Sequence, residues 1–116
     1  MADSIDDLSR ALRAFADERD WGQFHTPKNL ASALVVEAGE LLEPFQWLTD
    51  QQSRELPPER LQAVSEEMAD VLLYLVQLSN ALGVDLLAAA RAKLARNAQK
   101  YPVDRARGSA VKYDEL

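Results

Sequence analysis

An apolar run between positions 61 and 82 constrains this chain more than any other feature. On a helix, Leu61, Val64, Met68, Leu72, Leu75 and Leu82 fall along one stripe, and Val71, Leu73, Val76 and Leu78 spread apolar surface around the rest of the circumference. A helix that is apolar all round needs cover on every side. The chain has 116 residues, enough for one domain but too few helices to enclose one of them completely. We therefore expect part of this helix to face a second subunit. The alternative, a monomer with an exposed apolar strip, conflicts with how rarely monomers carry large exposed patches.

The remaining elements follow from caps and breakers, and the fold class is all-α with four helices. The first covers residues 4–20, with Ser4 and Asp7 as an N-cap pair and Ile5, Leu8, Leu12 and Phe15 as its apolar stripe. The segment 21–26 breaks it, and Thr26-Pro27 starts the second helix, over 27–47, which Pro44 should kink or end. Residues 49–58 read as a loop. Pro57-Pro58-Glu59 opens the third helix and Gly83 closes it; Asp85 caps the fourth, which runs to Lys100 before Pro102 stops it. Residues 1–102 form the domain, and 103–116 are a tail that is either disordered or docked.

Composition narrows the functional classes. Cysteine is absent, so disulfides and thiolate metal sites are excluded. The acidic N-terminal stretch MADSIDDLSR lacks the apolar run of a signal peptide, and no segment is long enough to span a membrane. Both point to a cytoplasmic protein. A net charge of −6 disfavours nucleic-acid binding. A small anionic substrate stays possible if a cation or a local basic patch offsets the repulsion.

Two acidic pairs supply a place for such a cation. Glu37 and Glu40 lie on the second helix and Glu67 and Asp70 on the third, each pair spaced i, i+3 on one helix face and flanked by long apolar residues. Like charges repel there, and partial burial raises the cost. A divalent cation between the two helices removes both penalties. Four carboxylates make a hard-oxygen cage suited to Mg²⁺, with Mn²⁺ as a substitute. One such pair alone reads as a solvated face; two on successive helices, both inside apolar runs, do not. Glu66 should point about 100° away from the second pair. Gly39, between the two glutamates, marks either close approach by a backbone or ligand, or helix packing alone. Lys93, Asn97 and Lys100 stand at i, i+4, i+7 on one face of the fourth helix and can hold a triphosphate.

The acidic pairs, together with Glu18-Arg-Asp-Trp-Gly-Gln-Phe-His25, Lys28-Asn-Leu, Phe45-Gln-Trp47, the Val-Leu-Leu-Tyr74 that follows Asp70, and Lys100-Tyr-Pro102, resemble the MazG-like all-α nucleotide pyrophosphohydrolases, and within them the dCTP pyrophosphatase branch. The resemblance covers nearly the whole chain. It implies antiparallel helices assembled into a homotetramer with active sites built across subunits, and Mg²⁺ held by Glu37, Glu40, Glu67 and Asp70. It also implies a base held by Trp21 and Trp47 with a polar contact from His25, and Tyr74 lining the sugar pocket. Leu12 stands where some eukaryotic members carry a histidine.

The expected reaction is attack of water on the α-phosphorus of a nucleoside triphosphate, dCTP or a modified dCTP, with Glu37 or Glu40 as general base and pyrophosphate leaving. Two other readings stay open: a dUTP or broad damaged-nucleotide enzyme of the same family, and a non-catalytic helical module that uses the acidic helices for metal-linked oligomerisation. An assembly module has no need of the aromatic segment at 21–25.

Overall fold

The computed structural model describes residues 4–116; positions 1–3, the start of the acidic N-terminal stretch, lie outside the described residues. The described chain is all-helical: α1 (Ile5–Glu18), α2 (Pro27–Leu42), α3 (Asp50–Arg54), α4 (Pro58–Leu82), α5 (Leu86–Lys100), α6 (Val103–Ala106) and a closing 3₁₀ turn (Tyr113–Glu115). It divides into two compact units, one ending at Val84 and one starting at Asp85. No single described helix is long and apolar enough to cross a membrane.

The caps read from sequence are formed. Ser4 Oγ accepts the Asp7 N–H at 3.1 Å, Thr26 Oγ1 accepts that of Asn29 at 3.2 Å, and an Asp85 carboxylate oxygen accepts that of Ala88 at 3.0 Å. Gly83 closes α4 at φ 66°, the left-handed conformation that favours glycine.

Two expectations are corrected. First, α2 stops at Leu42, short of Trp47. Pro44 has no N–H to continue the helix, and the chain passes through tight turns in which the Phe45 N–H bonds to Leu42 O and the Leu48 N–H to Phe45 O, both at 2.9 Å. Second, the segment read as a loop contains α3. Thr49 and Gln52 form a reciprocal capping box there, the Thr49 hydroxyl accepting the Gln52 N–H at 3.2 Å and the Gln52 side-chain Oε1 accepting the Thr49 N–H at 3.0 Å. Beyond α5 the second unit has contacts of its own. Within the second unit the Tyr113 ring meets Tyr101 edge-on at 6.1 Å, its backbone N–H donates to the Tyr101 hydroxyl at 3.3 Å, and Lys100 Nζ lies 4.7 Å over its ring.

In the first unit α4 is the hub: α2 and α1 both pack on it. Leu12, Leu30, Val64 and Val76 are enclosed, together with Ser79, whose hydroxyl donates to Val76 O. Polar bonds also tie α1 to α4: Ser9 Oγ donates to the Asn80 side-chain oxygen, Asn80 Nδ2 donates to Ser9 O at 3.3 Å, and Arg13 Nη2 donates to the same Asn80 oxygen at 3.3 Å. Of the rest of the apolar run, Val71, Leu73, Leu75 and Leu78 are half-buried and other positions are open. Leu61 (53%), Met68 (57%) and Leu82 (56%) are exposed, as are Val35, Val36 and Leu42 on α2.

Candidate functional site

The packing of α2 on α4 brings the acidic pairs together. Glu37, Glu67 and Asp70 each present a carboxylate oxygen, and the three oxygens lie within 4.8 Å of one another. Glu40 stands one turn beyond Glu37, close enough to perturb its carboxyl. Glu66 is exposed and lies outside the group.

The charges press on one another. The Glu37 carboxyl is pushed up to about 7, first by the adjoining Glu40 side chain, then by partial desolvation and by the negative charges of Glu40, Asp70 and Glu67. Glu67 is raised as well, mainly by desolvation and then by Glu40 and Asp70. One oxygen of Glu37 and one of Glu67, both Oε2, are enclosed with no hydrogen-bond partner among the described residues. Enclosed oxygens without donors are costly for a protein alone. A divalent cation satisfies them, and the all-oxygen donor set suits Mg²⁺ or Mn²⁺ chemically.

Gly39 is exposed, and a Cβ there would meet nothing within 4 Å. Packing within the chain therefore does not explain this glycine.

Asp70 also lines a cavity of about 340 Å³. One wall is the apolar face of α1, with Leu8, Ala11, Leu12 and Phe15. Another is the face of α4 that carries Asp70, Leu73, Tyr74 and Gln77. Trp21 and His25 complete it from the segment between α1 and α2. Local backbone geometry brings that segment in. Asp20 adopts φ 53°, in the left-handed region, and the Trp21 N–H turns back to Ala16 O at 3.0 Å. Gln23 Nε2 holds the turn by donating to Asp20 O at 3.1 Å and to its carboxylate at 3.2 Å. The Trp21 ring is then fixed edge-on to Phe15 at 5.6 Å and to His25 at 6.0 Å.

Trp47 is placed elsewhere. It is 86% exposed and lines a second cleft with Glu40, Glu43, Glu59, Arg60 and Glu67. The end of α2 at Leu42 puts it there, and Pro44 O accepts a hydrogen bond from Arg60 Nη1 at 2.9 Å, tying the turn to α4. Within one chain the two indoles line different clefts, one bordered by Asp70 and the other by Glu40 and Glu67. Lys93, Asn97 and Lys100 lie along one face of α5 in the second unit.

Among the lining residues not anticipated from sequence are Phe15 and Gln77. Phe15, expected in the α1 core stripe, stays partly exposed as the partner of Trp21. Gln77 sits in the most apolar stretch of the chain, between Val76 and Leu78. Its signal was spacing: Asp70, Tyr74 and Gln77 stand at i, i+4, i+7, the pattern already noted at Lys93, Asn97 and Lys100.

Comparison with known proteins agrees with this geometry. Residues 33–116 match the model of the MazG-like family. The chain is 48% identical to dCTP pyrophosphatase 1 of Mus musculus and 46% identical to that of Homo sapiens, in each case over 97% of this chain and 68% of the relative. A crystal structure of a pyrophosphatase from Archaeoglobus fulgidus superposes with a TM-score of 0.81 at 39% identity, covering 88% of this chain and 95% of that one. The acidic pairs on two packed helices, the family-model match and the relatives agree: this chain belongs to the MazG-like family.

Proposed function

We propose that this chain is a cytoplasmic, Mg²⁺-dependent nucleoside triphosphate pyrophosphohydrolase that converts dCTP, or a modified dCTP, to the monophosphate and pyrophosphate. One observation carries the reading. Asp70 belongs both to the carboxylate group with the donorless oxygens and to the aromatic cavity with Trp21, His25 and Tyr74. A cation site and a base-sized pocket joined at one residue suit a substrate with a triphosphate at one end and a base at the other. The three relatives named above, two dCTP pyrophosphatases and a pyrophosphatase, support it.

Glu37, Glu40, Glu67 and Asp70 would hold the metal. When bound, Mg²⁺ neutralises phosphate charge and favours ionisation of water. The protein's own groups supply the rest. Glu37 or Glu40 accepts the proton of the attacking water. The water oxygen bonds to the α-phosphorus, and the bond from that phosphorus to the bridging oxygen of the β-phosphate breaks. Pyrophosphate leaves with the electron pair; Lys93, Asn97 and Lys100, along one face of α5, are groups suited to its charge. Trp21, His25 and Trp47 hold the base, Tyr74 the sugar. Because Trp21 and Trp47 line separate clefts in one chain, an indole clamp on one base takes Trp47 from a neighbouring copy.

That arrangement requires assembly. We infer that the chain forms a homotetramer in which residues 1–102 complete a four-helix antiparallel bundle, with Leu61, Met68, Val35, Val36 and Leu42 as the apolar surface available for contact.

The test is Glu40→Gln and Asp70→Asn, each assayed for pyrophosphate release from a nucleotide panel with and without Mg²⁺. Both variants remove charge and keep volume, so circular dichroism should match the wild type while turnover is abolished. Folded variants with wild-type rates would leave the carboxylates as a solvated face, and a metal-linked assembly module would then be the better reading.

A further inference from the structure

The cavity beside the carboxylates holds few groups able to read a base. Its α1 wall, Leu8, Ala11, Leu12 and Phe15, is apolar throughout. Asp70 is committed to the carboxylate group, and Trp21 and Tyr74 carry one indole N–H and one hydroxyl on their rings. The His25 imidazole and the Gln77 carboxamide are the remaining polar groups. Both also line a second cavity, of about 260 Å³, with Leu12 and Leu30. They therefore stand where the two cavities adjoin.

Gln77 is unusual in its surroundings. Its neighbours on α4 are engaged, Ser79 with Val76 O and Asn80 with Ser9, but the Gln77 carboxamide makes no hydrogen bond among the described residues. The Gln77 side chain is half-buried between Val76 and Leu78, and its amide atoms stay accessible from the cavity they line. An amide left free on the wall of a ligand-sized cavity is suited to bond whatever enters.

We propose, resting on the nucleotide-hydrolase reading, that Gln77 reads the hydrogen-bonding edge of the base and serves cytosine and uracil alike. A carboxamide offers one acceptor and one donor side by side in a plane. Cytosine presents its 4-amino donor beside the N3 acceptor; uracil presents the O4 acceptor beside the N3–H donor. The same amide, turned over, matches either. The terminal torsion of glutamine has broad, two-fold preferences, and no protein bond holds this one in a single orientation. Gln77 thus gives affinity for a pyrimidine edge and leaves the choice between the two pyrimidines to His25.

The experiment compares wild type and Gln77→Leu, similar in size and unable to hydrogen-bond, on three substrates: dCTP, dUTP, and the triphosphate of a pyrimidin-2-one deoxynucleoside, which lacks the 4-substituent. Loss of a two-bond edge contact should lower kcat/KM for dCTP and for dUTP by about tenfold or more, mainly through KM. Their ratio should stay constant, and the pyrimidin-2-one nucleotide should change much less. If all three substrates fall together, or none does, Gln77 is a piece of wall and the proposal is wrong. A several-fold change in the dCTP-to-dUTP ratio also overturns it, because the amide is then held one way. Gln77→Met, unbranched like glutamine, replaces the leucine variant if that one does not fold. A wild-type protein that releases pyrophosphate from none of these nucleotides defeats the functional reading itself; turnover indifferent to Gln77→Leu defeats only the role of Gln77.

Discussion

Glu37 on α2 and Glu67 on α4 present carboxylate oxygens within 4.8 Å of each other across the helix interface, and each keeps an enclosed Oε2 with no donor. Two like charges held this close make the metal-free protein sensitive to pH. The Glu37 carboxyl, pushed up to about 7 from its ordinary 4.5, is protonated in the folded chain where the unfolded chain is already ionised. Its contribution to stability is therefore complete below the unfolded value and is lost as pH rises to the folded one. Glu67, also raised, acts in the same direction. In the presence of a chelator, the protein should melt at a lower temperature at about pH 8 than at about pH 5.5, apart from other titrations. Mg²⁺ competes with the protons, so it should raise the melting temperature most at the higher pH. Melts with EDTA and with Mg²⁺ at both pH values check this. A chelated protein that gains stability over that interval would contradict it.

The base site should divide its labour. Stacking is worth about 1–3 kcal/mol per base and is indifferent to which base is stacked. Trp47→Ala should therefore weaken dCTP and dUTP alike, through KM. His25→Ala should narrow the gap between dCTP and dUTP, since an unpaired polar group costs about 1–3 kcal/mol, or roughly one to two decades in specificity. The kcat/KM of both nucleotides on both variants separates the two roles. An unchanged ratio in His25→Ala removes His25 as the selector, and a wild-type preference for dUTP or a purine nucleotide removes the cytosine assignment.

Asp20 is a conformational dependency of the same site. Its φ of 53° starts the turn that carries Trp21 back toward Phe15. Asn and Gly adopt this conformation readily, whereas a β-branched residue does so at a cost of about 1–2 kcal/mol. Asp20→Asn should be nearly neutral in melting temperature and KM. Asp20→Val should lower the one and raise the other. Equal behaviour of the two variants would mean the turn survives by other means.

Assembly should be obligatory. Sedimentation at micromolar concentration should give a species near four times the 12.9 kDa chain mass. A stable monomer at that concentration counts against both the tetramer and a site shared between copies. Met68→Glu, at an exposed apolar position of α4, should shift the distribution toward smaller species and reduce turnover with it.

The four long helices were legible because their ends are written in local chemistry: Ser4, Thr26-Pro27, Gly83 and Asp85 each act through backbone groups one to three residues away. The acidic pairs were legible for a similar reason, since i, i+3 spacing fixes a helix face whatever surrounds it. What was not legible depended on packing or on weak patterns. The Thr49 and Gln52 box was present in the sequence, but no apolar periodicity accompanied it to mark a helix in so polar a segment. The separation of Trp21 from Trp47 follows from which cleft each chain turn reaches, and spacing carries no such information. Gln77 shares a face with Asp70 and Tyr74, yet a lone polar residue in an apolar run reads as an interruption until a cavity appears beside it.

The small enclosed core has a calorimetric consequence. The heat-capacity increment of unfolding grows with the apolar area newly exposed to water. Leu12, Leu30, Val64 and Val76 give a lone chain little to expose, so its free energy should vary gently with temperature and its melting transition should be broad. In the proposed tetramer each copy would cover further apolar side chains of α2 and α4, steepening that curve and sharpening the transition. The width of the thermal transition as the protein is diluted is thus a gauge of how much of the hydrophobic interior lies between chains, and reading it requires no knowledge of the substrate.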